Sequence, residues 1–219
     1  LDVKFESLMM QVITSIELNH DEEAERLFEN IDILSFGLPS SVQQCFFSIP
    51  ALKAQLYLKQ GCLEKAIFWI ERLVCPDEEQ HTIAHQHECL VKADVLIAQG
   101  QLDDAIRGLA SLKQTAQKSG NQLMLMKAYI AESIAYDTRQ QDEKSLASFH
   151  QAIQLGKQMG SVSAFLRDAR QMSGLLKRAK KAFHYPAYIG GLLTALNYEE
   201  ASTQAETCQL AALSKRERE

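Results

Sequence analysis

Proline and glycine are scarce in this sequence, at 4 and 10 residues of 219. Both break helices, and Ala, Leu, Gln, Glu and Lys are plentiful, so the balance favours an all-helical chain. No apolar run approaches the roughly 18 residues that a membrane span needs. The first residues, Leu1-Asp2-Val3-Lys4, are neither an initiator methionine nor a signal peptide, and a truncated N-terminus is expected. Cysteine is limited to Cys45, Cys62, Cys75, Cys89 and Cys208, with no CxxC pair. That excludes a disulfide scaffold and a zinc knuckle, and it fits small buried hydrophobes in a reducing cytoplasm. Positive charge is in deficit: the net charge of -5 argues against the whole segment being a nucleic-acid clamp.

Signatures of catalysis are missing as well. Gly156-Lys157 lacks the upstream glycine spacing and the following Ser or Thr of a phosphate-binding loop. Neither a Gly-x-Ser-x-Gly elbow nor an HExxH motif occurs. The expectation is a binding protein, not an enzyme, with no cofactor in this segment.

What is present is a repeat. "ITSIELNHDEEAERLFENI" begins at Ile13, "AQLYLKQGCLEKAIFWIERL" at Ala54, "ADVLIAQGQLDDAIRGLASL" at Ala93 and "SIAYDTRQQDEKSLASFHQAI" at Ser133. Their small residues Ala24, Ala66, Ala105 and Ser145 recur about every 40 residues, a period that means stacked supersecondary units. Each unit predicts one helix, a turn (Gln60-Gly61 or Gln99-Gly100), then a second helix. That second helix has acidic residues in its first turn (Glu64, Asp103-Asp104, Glu143), where they suit the helix dipole. The small residue lets the two helices approach. A large one, Phe28, Ile70, Leu109 or Phe149, fills the groove one turn on.

In the second unit Ala54, Tyr57, Gly61, Ala66 and Ile70 follow the small, aromatic, glycine, small, large order, and on these residues the sequence resembles tetratricopeptide repeats. Asn19 stands for the glycine in the first unit and Gln140 in the fourth. The units also exceed the roughly 34 residues usual for that family. The expected fold class is all-α, a right-handed solenoid of antiparallel helix pairs over residues 1–159, whose concave face binds a ligand or partner.

After Gly160 the pattern changes. "SVSAFLRDARQMSGLLKRAKKAFHYPAYIGGLLTALN" predicts a helix, a break at His184-Tyr185-Pro186 and a short helix ending near Asn197, a closing element over residues 160–200. Residues 201–219 predict a linker followed by "LSKRERE". Leu213, Ser214, Arg216, Glu217 and Glu219 match the opening of a LuxR-type helix-turn-helix domain, and Ser214 with Glu217 forms a capping box. With the repeats and the closing helices, the chain resembles the sensor region of MalT-like, LuxR-family transcription regulators. The resemblance implies a bacterial, cytoplasmic signal sensor, cut where its DNA-binding domain begins. It implies a small-molecule inducer or a protein partner, DNA contact only through the absent domain, no membrane partner and a possible homo-oligomer. The alternative is a tetratricopeptide scaffold for protein partners with no DNA-binding domain.

Register places Gln55, Lys59, His87, Asp94, Lys127 and Asp137 on the inner face, among Leu58, Leu90, Ile97 and Ile130. These six are the candidate ligand-binding residues, and the competing reading is an empty, solvated groove. In "HTIAHQHECL", His81, His85 and Cys89 share a helix face, but three ligands along one helix span too far for a single ion. No metal site is assigned; His81 and His85 are the weak candidates. Lys177, Arg178, Lys180 and Lys181 are expected to be a solvated helix face, and Trp69 with Phe68 interior packing.

Overall fold

One turn recurs at the helix ends of the described residues. At Gly61 the backbone turns left-handed (φ 73°); its N–H donates to the Leu58 carbonyl, and that of Cys62 to the Tyr57 carbonyl. This pair of bonds satisfies carbonyls that a helix end leaves open. Gly100 (φ 76°), Gly120 (φ 71°) and Gly160 (φ 64°) stop their helices with the same two bonds. Gln140 (φ 60°) adopts the left-handed conformation without being glycine, at the position where the fourth repeat departs from the pattern.

The computed structural model describes residues 2–18, 20–35, 48–73, 82–166, 169–182, 185 and 187–197. Asn19, His81 and the stretch from 198 to 219, with the linker and the "LSKRERE" opening, lie outside the described residues. Among the described residues the secondary structure is helical throughout, with no strand. Four antiparallel pairs follow one another: α1 (Asp2–Glu17) with α2 (Asp21–Ser35), α3 (Ile49–Lys59) with α4 (Leu63–Ile70), α5 (Ile83–Ala98) with α6 (Leu102–Lys118), and α7 (Gln122–Thr138) with α8 (Asp142–Met159). A 3-10 turn (Ser163–Phe165), α9 (Ala169–Ala182) and α10 (residues 187–197) close the stack.

Local chemistry starts these helices. Thr82 and Asn121 cap α5 and α7 by accepting the backbone N–H of His85 (3.2 Å) and Met124 (3.1 Å). Asp21, Glu22 and Glu23 open α2, Asp103 and Asp104 open α6, and Asp142 and Glu143 open α8. Pro50 sits in the first turn of α3, where a missing N–H costs nothing.

Packing then joins the pairs. Ala24, Ala66, Ala105 and Ser145 are all buried at the close approach within a pair; Phe28, Leu109 and Phe149 are buried one turn on, and Ile70 is half-buried. First helices also pack on one another, α1 on α3, α3 on α5 and α5 on α7, so they form a continuous inner layer. Ion pairs tie neighbouring pairs together. Lys53 on α3 reaches Asp32 on α2 at 2.7 Å, with its ammonium 5.4 Å from the Phe28 ring centre and 4.6 Å from that of Trp69. Lys113 on α6 holds Glu132 on α7 at 2.6 Å, and the Ser148 hydroxyl donates to the same carboxylate at 2.8 Å.

The closing element shares a core with the fourth pair. Phe165 is fully buried and stands edge-on to Phe149 (centroids 6.0 Å apart) and to Tyr188 (6.3 Å). Met172, Leu175, Ile189 and Leu192 complete this cluster. A β-carbon at Gly156 would lie 2.6 Å from both Phe165 Cε2 and Tyr188 Oη, so only glycine admits those rings.

One packing expectation differs from the structure. Trp69 is half-buried against Ala51, Ala54 and Val91, but Phe68 is 46% exposed and carries the Arg72 guanidinium on its face. Adjacent helical residues point about 100° apart, so one of the two rings must leave the interface.

Candidate functional site

The inner layer of first helices builds one polar cavity. Its wall takes Glu17 and Leu18 from the end of α1, Gln55 and Lys59 from α3, His87, Leu90 and Val91 from α5, and Lys127 from α7. Ser163, Ala164 and Leu166 of the 3-10 segment complete it. The cavity measures about 190 Å³.

Helix register explains the convergence. Gln55 and Lys59 are one turn apart on the same face of α3, and His87 answers them from α5. His87 is buried, with Nε2 3.0 Å from Gln55 Oε1. Facing an amide oxygen, Nε2 is the nitrogen that donates. Lys59 Nζ donates to the Ile16 carbonyl near the end of α1, and Lys127 Nζ lies 3.9 Å from Glu17 Oε1. Leu90 and Val91 put an apolar floor beneath these groups.

Of the six predicted residues, Gln55, Lys59, His87 and Lys127 line this cavity, while Asp94 and Asp137 do not. Asp137 is drawn to the closing element, where Arg178 pairs with it and, at 2.7 Å, with Asp142. Arg178 is therefore only part of a solvated basic face; Lys177, Lys180 and Lys181 are exposed. Sequence reasoning missed Glu17, Leu18 and Ser163, because the ends of α1 and the 3-10 turn reach the groove only through the curvature of the stack. It also missed Gln86, which is buried beside His87. Its side chain donates to Ser119 (3.0 Å) and accepts from Asn121 (2.9 Å), pinning α5 to the α6–α7 turn.

His85 lies on α5 with Nε2 3.5 Å from Cys89 Sγ. Among the described residues no three His, Cys, Asp or Glu side chains are grouped as a metal would require, and His81 is outside them.

A family model described as the MalT-like TPR region matches residues 6–182. The chain belongs to that family. The match begins in α1 and ends with α9, so it takes in all four helix pairs and the first closing helix. Neither the curated proteins nor the solved structures give a match. A MalT-like TPR region is a helical-repeat scaffold, a type that works by binding. Among the described residues no helix is long and apolar enough to cross a membrane.

Proposed function

We propose that this chain is the effector-binding region of a bacterial LuxR-family transcription regulator of MalT-like layout, and that its inner cavity holds the effector. The observation that carries the reading is the convergence of Gln55, Lys59, His87 and Lys127, from three different helices, on one cavity. A solvated face would give no reason for a buried histidine to meet a glutamine of the neighbouring helix at 3.0 Å.

Size and polarity narrow the effector. At about 30 Å³ per water, 190 Å³ is the space of about six waters. Sites for drug-sized ligands start near 300 Å³. The cavity therefore takes a compound of one ring, or one end of a longer one lying along the groove. Amide, imidazole, hydroxyl and ammonium groups suit hydroxyl and carboxylate groups on the ligand. An effector that holds the inner helices in one arrangement shifts the regulator toward its oligomerising, DNA-binding state only if it binds that state more tightly.

Two measurements test this. A thermal melt against sugars, sugar acids, amino acids, nucleotides and aromatic acids should find one chemical class that stabilises the chain. At a hundredfold excess over Kd the gain is about 2.7 kcal/mol, and Gln55→Ala and Lys59→Ala should abolish it. A panel flat across all classes would instead favour a protein partner. The place in a transcription regulator fails if the gene encodes no helix-turn-helix domain beyond Glu219.

A further inference from the structure

Cys89 stands two residues after His87 on α5, about 200° further round the helix. It therefore faces away from the inner cavity and toward α6. The thiol is half-buried and in no disulfide. Its sulfur lies 3.5 Å from His85 Nε2, one helical turn back. The other nitrogen of that ring, Nδ1, is buried, makes no hydrogen bond, and has Glu88 Oε2 3.7 Å away. A carboxylate on that side favours the tautomer with its proton on Nδ1, which turns the Nε2 lone pair to the thiol. Cys89, His85 and Glu88 thus lie in sequence through space.

A space for a reactant adjoins the sulfur. A groove of about 450 Å³ between α5 and α6 is lined by Cys89, Lys92, Arg107, Gly108 and Ser111, with Asp104 beside Arg107. Asp104 neutralises Arg107, so Lys92 supplies the net positive charge of the groove, while Glu88 lies on the other side of the His85 ring. Cys62 supplies an internal contrast. It is also half-buried, but its sulfur lies 3.9 Å from the Gln60 carbonyl oxygen, a group that cannot take a proton.

We propose that Cys89 is a modification site, a thiol activated by His85 that is S-thiolated by small anionic disulfides. His85 Nε2 takes the thiol proton, and the thiolate attacks one sulfur of the incoming disulfide. That S–S bond breaks as the mixed disulfide on Cys89 forms. The displaced thiolate takes the proton from His85 and leaves as a thiol. Cys89 is oxidised and the departing thiol is reduced. Lys92 attracts a carboxylate on the reactant. The adduct would sit in the α5–α6 groove, on the helix whose other face carries His87.

The test is peptide mass mapping of the whole chain exposed to glutathione disulfide near neutral pH, native and in urea. Native Cys89 should react roughly tenfold faster than Cys62, and urea should erase the advantage. His85→Ala and His85→Gln, each with helix content checked by circular dichroism, should bring Cys89 down to the rate of Cys62. Lys92→Gln should slow glutathione disulfide but not the neutral bis(2-hydroxyethyl) disulfide. Equal native rates for the two cysteines, or an unchanged Cys89 rate in both folded His85 variants, overturn the proposal. Should both variants unfold, the native-against-urea comparison decides, and a native Cys89 slower than the denatured one overturns it. Equal slowing of both disulfides by Lys92→Gln, or of neither, overturns the charge selection.

Discussion

Glu17 and Lys127 stand 3.9 Å apart, one at the end of α1 and the other on α7, although two helix pairs intervene in the chain. The pair bridges the inner face, and both residues line the cavity. Its carboxylate side is 60% exposed, so the pair itself adds only about 0–1 kcal/mol to stability. Glu17→Gln should leave the urea midpoint nearly unchanged. It should broaden the distance between spin labels on α1 and α7, since the cross-groove tie is gone. An unchanged distance would show that packing alone sets the curvature.

Lys113 and Glu132 behave differently, because Glu132 is buried. Lys113→Ala strands that carboxylate with only the Ser148 hydroxyl and should cost about 3–5 kcal/mol. Lys113→Met combined with Glu132→Leu should return most of the loss. Urea denaturation of the two variants checks both halves, and equal stabilities would show that the pair carries no buried-charge penalty.

Gln140 adopts a conformation that costs a side chain about 1–2 kcal/mol and costs glycine little. Gln140→Gly should therefore raise the melting temperature by a few degrees. Gly100→Ala, at the equivalent turn of the third pair, should lower it by a similar amount. No change at Gln140 would mean that its side chain offsets the strain.

Burial raises the Tyr188 phenol from 10.0 to about 12. The hydroxyl donates to the Ser161 carbonyl, behind Phe165. With the folded value above the unfolded one, this contribution to stability is complete below pH 10.0. It is lost as the pH rises toward about 12, because the unfolded chain gives up the proton first. Tyr188→Phe should flatten that part of the stability curve while costing about 1 kcal/mol at neutral pH for the lost hydrogen bond. An equal slope in both proteins would place the alkaline loss elsewhere.

The helix pairs were legible in the sequence because their signals are local. Ala66 and Gly61 lie five residues apart, and that spacing alone positions a left-handed stop before a close helix contact. Four of the six inner-face residues could be named from register, since a helix face repeats every 3.6 residues whatever surrounds it. Asp137 shares that register and still turns away, because Arg178 comes from a helix whose docking no local pattern announces. Phe68 shows the same limit: its hydrophobicity is plain in the sequence, but which of two adjacent rings stays inside depends on Lys53 and Val91 from other helices.

By itself the sequence determined the helices, their stops, the pairing and the period, all set by neighbours within a few turns. Only the tertiary structure decided that Glu17, His87, Lys127 and Ser163 share one wall. Small rotations from pair to pair add up along a stack, and their sum depends on contacts between pairs such as Lys53 with Asp32 and Lys113 with Glu132. The curvature that closes the cavity is therefore a property of all the interfaces together and is written in none of the repeats alone.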